Sequence, residues 1–139
     1  MDYLDRLPHA PPMRLLEEIV EIVPGERCRA RRRAREGDFY FQGHFPGRPV
    51  VPAIILVELI AQAGGLAAAG DEADGPLQLR VAAFGPCKFP GAAGPGALLE
   101  ASAHVVGRLG GLYKIDGEVT ADGRIVASGS VTLAHAAGV

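Results

Sequence analysis

Two residues have the types and spacing to move protons, His44 and Glu58, and Gln62 lies one helical turn past the second. His44 lies in "GHFPGRPVVP", where Gly43, Pro46, Gly47, Pro49 and Pro52 restrict the loop and hold a side chain still. Glu58 interrupts the most apolar run of the chain, "AIILVELIAQAGG", and Gln62 follows it at i+4, on the same stripe of a helix. An ionised carboxylate in such a run is costly unless it is paired, hydrogen-bonded or protonated. One reading makes Glu58 and Gln62 a polar contact that fixes the register of the helix. The other makes Glu58 a carboxyl tuned upward by apolar surroundings, able to donate a proton to chemistry in which His44 is the base. A lone histidine in a Gly/Pro-rich loop is more often structural than catalytic. A fixed imidazole beside a helix start, with a carboxyl inside that helix, is a plausible acid–base pair.

The elements that must position these groups follow from pattern. Pro52 can open a helix because its missing N–H is not needed there. Glu58 then lies about 9 Å along the axis at 1.5 Å per residue. The helix is expected to end near Gly70, before the polar loop "DEADGP". Upstream, "MRLLEEIVEIV" leads to a Pro24–Gly25 turn and reads as a strand. In "ERCRARRRARE", Cys28, Ala30, Arg32 and Ala34 alternate with Arg27, Arg29, Arg31, Arg33 and Arg35, the pattern of a half-exposed strand with a basic outer face. That face is either simply solvated or a landing patch for an acidic partner. Downstream, "LQLRVAAFGPCKF", "ALLEASAHVVGRL", "LYKIDGEVTA" and "RIVASGSVTLAH" read as four strands in a meander, with Asp122–Gly123 suited to a type I′ hairpin. A helix apolar almost all round, among about six strands, must be enclosed by them. The expected architecture is α+β: one antiparallel sheet wrapped around one long central helix, in a single domain over residues 1–139.

Composition excludes several classes. A net charge of −2 gives no footprint for nucleic acid. Cys28 and Cys87 lack metal-ligand spacing and form no disulfide framework, so neither metal nor cofactor is expected and a reducing cytoplasm is the default. The start of the chain has no signal-peptide core, and the apolar run is too short and too polar for a membrane span.

The segment "FQGHFPGRPVVPAIILVELIAQAGGL" resembles the signature of the hydroxyacyl-acyl-carrier-protein dehydratases of bacterial fatty-acid synthesis: G-H-F-P-G-R-P at Gly43–Pro49, Pro52, and E-x-x-A-Q at Glu58, Ala61 and Gln62, with 14 residues from His44 to Glu58. "LPHAPPMRLLEEI", "KF" at Lys88–Phe89, "PG" at Pro95–Gly96 and "GGLYKIDGEVTADGRIVASGSV" extend the likeness over nearly the whole chain. The resemblance implies the hot-dog fold and a homodimer with shared active sites, with a trimer of dimers as a further form. It also implies loss of water from a (3R)-3-hydroxyacyl thioester on acyl carrier protein. In that reading His44 is the base, Glu58 the acid, Gln62 the residue that orients Glu58, and the Ala53 N–H the donor to the thioester oxygen. Phe45, Ile54, Ile55 and Val57 are candidates to line an acyl tunnel, with plain core packing as the alternative, and Arg48 is a candidate contact for the carrier. Glutamate at position 58 is similar to the branch that dehydrates without isomerising.

The sequence departs from the family at Ala53, where glycine is usual, and at "PGAAGPGA", where relatives carry basic residues and an aspartate. His9, in "LPH", is expected to be structural. The rival functions are a hot-dog thioesterase and a non-catalytic acyl-binding protein.

Overall fold

The computed structural model describes residues 2–69 and 77–135. Strands β1 (Glu18–Val23) and β2 (Arg27–Arg33) precede helix α1 (Ala53–Ala69), and β3 (Leu79–Lys88), β4 (Leu98–Leu109), β5 (Leu112–Ala121) and β6 (Arg124–His135) follow it. All six strands form one antiparallel sheet in the order β1-β2-β4-β5-β6-β3, wrapped around α1 in the hot-dog arrangement. The expected end of the helix near Gly70 and the loop from Asp71 to Pro76 lie outside the described residues. Among those described, no helix is long and apolar enough to cross a membrane.

The helix is apolar because the sheet closes on it. Only Ala53, Ile54 and Glu58 of its residues are not buried. Leu59, Ile60 and Leu66 meet Ile115, Val119, Val126 and Val131 in one core cluster. Two glycines allow this approach. A Cβ on Gly64 would stand 2.7 Å from Ile115 Cγ2, and one on Gly117 of β5 would stand 2.6 Å from Ile60 Cγ2 and 2.9 Å from the Ser102 carbonyl oxygen.

The turn chemistry is as expected at Asp122 and Gly123, whose φ values of 49° and 87° are those of a type I′ hairpin. The meander is corrected. Strands β4, β5 and β6 are consecutive neighbours, but β3 pairs with β6 at the far edge and β2 pairs with β4. The reason lies in the segment between β3 and β4. It does not turn back as a hairpin; it braces other loops, with Val51 N–H donating to the Ala93 carbonyl and Gly96 N–H to that of Ala34.

Arg27, Arg29, Arg31 and Arg33 face outward from β2 while Cys28 and Ala30 are buried. Most of this basic face is neutralised from within. Arg27 pairs with Glu21 (3.0 Å), Arg31 with Glu100 (3.1 Å) and Glu18 (3.5 Å), and Arg35 with Glu17 (2.7 Å). A self-paired, solvated face is the better description than a landing patch.

Gly117→Ala is expected to lower the unfolding free energy by about 1–3 kcal/mol, because the new methyl meets a backbone oxygen that cannot yield. Chemical denaturation of the variant against the native chain measures it, and an unchanged midpoint would show that the contact is not tight.

Candidate active site

Pro52 precedes the helix, and its carbonyl accepts from the N–H groups of Ile55 (2.9 Å) and Leu56 (3.3 Å), so the first helical residue is Ala53, one later than Pro52. Among the described residues the Ala53 N–H has no acceptor. It is an unmatched donor at the positive end of the helix, suited to a developing negative charge. Asp122 is the one described non-glycine residue with positive φ, so alanine occupies position 53 without backbone strain and keeps the N–H.

One turn further, the stripe of two polar groups is fully built. Gln62 is 1% exposed. Its Oε1 accepts from Leu15 N–H (3.0 Å), and its Nε2 donates to the Met13 carbonyl (2.7 Å) and to Glu58 Oε2 (2.8 Å). The amide cannot be turned round, because its oxygen would then face two acceptors. Glu58 is not sealed in a dry core as expected. Its side chain is 24% exposed, and His9 Nε2 stands 3.3 Å from the same Oε2. Glu58, Gln62 and His9 share the wall of a cavity of about 300 Å³ whose other faces include Leu7, Ala61, Leu79 and Leu133.

His44 is held separately. It follows a 3-10 turn (Phe39–Phe41), and its N–H donates to the Phe41 carbonyl (3.0 Å). Phe45 and Arg48 exchange backbone hydrogen bonds of 3.1 and 2.9 Å, and Val50 N–H donates to the His44 carbonyl (2.8 Å). Gly43 and Gly47, at φ 76° and 75°, supply the left-handed positions this loop needs. His44 Nδ1 is 3.0 Å from the Val50 carbonyl oxygen, which can only accept. Nδ1 therefore carries the hydrogen in the neutral ring, and Nε2 carries the free lone pair. The half-buried imidazole stacks on Phe45, with centroids 4.1 Å apart.

Both segments that bear on the site meet at Arg32, the arginine on the inner side of β2. Its Nη1 donates to the Leu15 carbonyl (3.0 Å), next to the N–H that holds Gln62, and its Nη2 pairs with Asp38 (2.8 Å) just before the 3-10 turn. Tyr40 donates its hydroxyl to Asp38 (2.6 Å) and accepts from Arg32 Nε (3.2 Å). Burial tends to raise the Asp38 carboxyl, but hydrogen bonds from Tyr40, the Arg35 N–H and Arg32 together hold it below its ordinary value. Burial, then the Asp38 acceptor, pushes the Tyr40 phenol up to about 12.

Of the residues singled out in the sequence, Glu58 and Gln62 are in contact, and His44 and Glu58 share no hydrogen bond or ion pair within one chain among the described residues. Ile55 and Val57 belong to the core, while Phe45 (56% exposed) and Ile54 (76%) stand on the surface, so none of the four lines the cavity beside Glu58. Arg48 is exposed and has no ion pair among the described residues. His9, Arg32, Asp38 and Tyr40 were not marked by local pattern. The only hint was the position of Arg32 on the apolar face of its strand.

A family model described as the FabA-like domain matches residues 7–130. A 3-hydroxyacyl-acyl-carrier-protein dehydratase FabZ from Myxococcus xanthus is 34% identical over 130 residues, covering 92% of this chain and 85% of that protein. One of the same description from Polynucleobacter necessarius is 33% identical over 131 residues, covering 94% and 88%. Among solved structures, the dehydratase heterocomplex ApeI:P from Xenorhabdus doucetiae matches with a TM-score of 0.77 at 22% identity, covering 95% of this chain and 90% of that one. At that identity the likeness speaks for the fold.

Two outcomes follow from this geometry. Nitrogen NMR of the neutral His44 ring is expected to show hydrogen on Nδ1, and an Nε2–H form would refute the Val50 contact. The folded Asp38 carboxyl is lowered, so its stabilisation is present above the unfolded value and is lost as pH falls through the folded one. Asp38→Asn is therefore expected to cost about 1–3 kcal/mol at neutral pH. The deficit should shrink below about pH 4, the ordinary aspartate range, in denaturation curves taken across pH.

Proposed function

Because the chain belongs to the FabA-like domain family, we propose that it removes water from (3R)-3-hydroxyacyl thioesters carried on acyl carrier protein, giving trans-2-enoyl thioesters. The observation that carries this reading is Glu58 itself: a carboxyl on the wall of a largely apolar cavity, with Oε2 hydrogen-bonded and Oε1 without a partner among the described residues. A group so placed can give a proton to a hydroxyl leaving an acyl chain.

In this mechanism His44 Nε2 takes the C2 proton and the electron pair moves toward the thioester oxygen. The Ala53 N–H, at the positive end of α1, stabilises that oxygen. As the C3–O bond breaks, Glu58 protonates the departing hydroxyl and water leaves. Gln62 keeps the carboxyl in place throughout. No cofactor takes part.

Among the described residues the two reacting side chains share no hydrogen bond or ion pair within one chain, which supports a homodimer in which His44 of one copy faces Glu58 of the other. Phe45 in the His44 loop and Ile54 in the first turn of α1 are exposed apolar side chains, as a covered face requires. In that assembly they would close the acyl site from the second copy, while Ile55 and Val57 remain core. A trimer of dimers is compatible with the same contact. Arg48, free and exposed on the His44 loop, is suited to meet an acidic carrier protein, and the reaction belongs in the cytoplasm. With glutamate rather than aspartate at position 58, the product is expected to keep its double bond at C2.

The test is incubation with a crotonyl thioester, following the 3-hydroxy product, free thiol and unchanged substrate. Hydration is the expected outcome. Release of thiol would indicate a thioesterase, and no turnover a binding protein. His44→Ala and Glu58→Gln are each expected to lower the hydration rate by about 10²- to 10⁴-fold, and near-native activity in either variant would sink the mechanism.

A further inference from the structure

We propose that His9 is a positioning residue for the proton donor: with Gln62 it occupies Glu58 Oε2, so that Oε1 is the atom that holds the reacting proton. The inference rests on the dehydratase reading above and goes beyond it by assigning the two carboxyl oxygens and a third side chain.

Three observations converge on it. First, two nitrogens stand beside one oxygen: Gln62 Nε2, hydrogen-bonded to Oε2 at 2.8 Å, and His9 Nε2, 3.3 Å from it, with no partner on Oε1 among the described residues. Second, the Gln62 amide is pinned by Leu15 and Met13, so the group it presents to Glu58 is an N–H. Third, His9 Nδ1 is buried and has no hydrogen-bond partner among the described residues. A hydrogen on Nδ1 would be a buried donor without an acceptor, which folded proteins rarely tolerate. The hydrogen of the neutral ring therefore sits on Nε2, the ring nitrogen that stands 3.3 Å from Glu58 Oε2.

The segment carrying His9 is itself braced. Arg14 Nε donates to the His9 carbonyl (3.1 Å) while its Nη1 pairs with Asp5 (3.0 Å), and the Ala10 carbonyl accepts from the N–H groups of Met13 (2.9 Å) and Arg14 (3.0 Å). His9 is thus presented from a fixed turn.

The chemical consequence is specific. When Oε1–H passes its proton to the leaving hydroxyl, the carboxyl becomes a carboxylate and Oε2 gains negative charge. The Gln62 N–H bonded to Oε2 and the His9 N–H beside it bind the carboxylate more strongly than the acid. Their contribution is therefore larger in the transition state than in the ground state, which is the condition for raising kcat rather than lowering KM. With Oε2 occupied, the proton is also kept on Oε1, the oxygen without a partner among the described residues.

The experiment compares kcat and KM for crotonyl thioester hydration in the native protein, His9→Leu, His9→Gln, His9→Asn and Glu58→Gln. His9→Leu is expected to lower kcat by about 10- to 100-fold with KM within about threefold, the effect of one hydrogen bond to a charge-bearing group. Glutamine places an N–H at the reach of the imidazole Nε2 and should restore kcat to at least about tenfold above His9→Leu, whereas asparagine, which matches the Nδ1 reach, should not. A native kcat in His9→Leu, a change confined to KM, or equal kcat in the glutamine and asparagine variants would overturn the proposal. If His9→Leu does not fold, the comparison of glutamine with asparagine decides alone, since both are polar amides. Glu58→Gln separates the two readings. If it is inactive and the His9 variants are native-like, only the role of His9 falls; if it stays active, the acid assignment and the role of His9 fall together.

Discussion

The site depends on one buried amide. Helix α1 is enclosed by a sheet and must be apolar, yet the segment that crosses its face at Met13–Leu15 brings backbone groups that need partners away from water. Gln62 meets that need from inside the helix, taking the Leu15 N–H and giving to the Met13 carbonyl. Its one remaining N–H is then committed to Glu58. The same side chain therefore closes the core against the N-terminal segment and sets the orientation of the carboxyl. The structural contact and the proposed catalytic role of the Glu58–Gln62 stripe are not alternatives; the first would produce the second.

A similar economy governs the base. The His44 loop is held by its own backbone hydrogen bonds, and the Val50 carbonyl selects the ring tautomer. The chain entering that loop is fixed by Asp38 and Tyr40 on Arg32, and Arg32 also grips the Leu15 carbonyl. One guanidinium thus ties the segment that braces Glu58, the proposed acid, to the loop that presents His44, the proposed base. Segment 89–97 adds a second brace through the bond of Ala93 to Val51, one residue before Pro52. Its small residues, which depart from the family pattern, suit this close fit: a Cβ on Gly94 would stand 3.3 Å from the Pro49 carbonyl oxygen.

What the sequence made legible was local. Period-two alternation marked β2, Asp122–Gly123 marked its hairpin, and the unbroken apolar run with its i+4 polar pair marked α1 and the Glu58–Gln62 contact. Long-range pairing was not legible. The edge position of β3 depends on how the sheet goes round the helix, and four apolar strands in sequence carry no signal that distinguishes a meander from that order. His9 lies 49 residues from Glu58, and nothing in "LPHAPP" indicates which carboxyl it will meet. The arginine-rich strand misled in the opposite direction, because the acids that neutralise it sit on β1, on β4 and in flanking loops. Counting charge along one segment overstates the field that segment presents.

The remaining asymmetry is between the two halves of the acid–base pair. Each is rigid within its own surroundings, Glu58 by Gln62 and His9, and His44 by Val50 and the turn at Phe45–Arg48. Among the described residues His44 and Glu58 share no hydrogen bond or ion pair in one chain, so in the proposed homodimer their relative geometry would be set by how two surfaces meet. That division places different demands on different residues. Substitutions at Gln62, Arg32 or Val51 act on the internal order of one half. Exposed groups such as Phe45 and Ile54 act on the distance between halves. A reaction needing two reacting groups held about 3 Å from one substrate is thereby divided into two local problems, each solved by short hydrogen bonds, and one problem of docking.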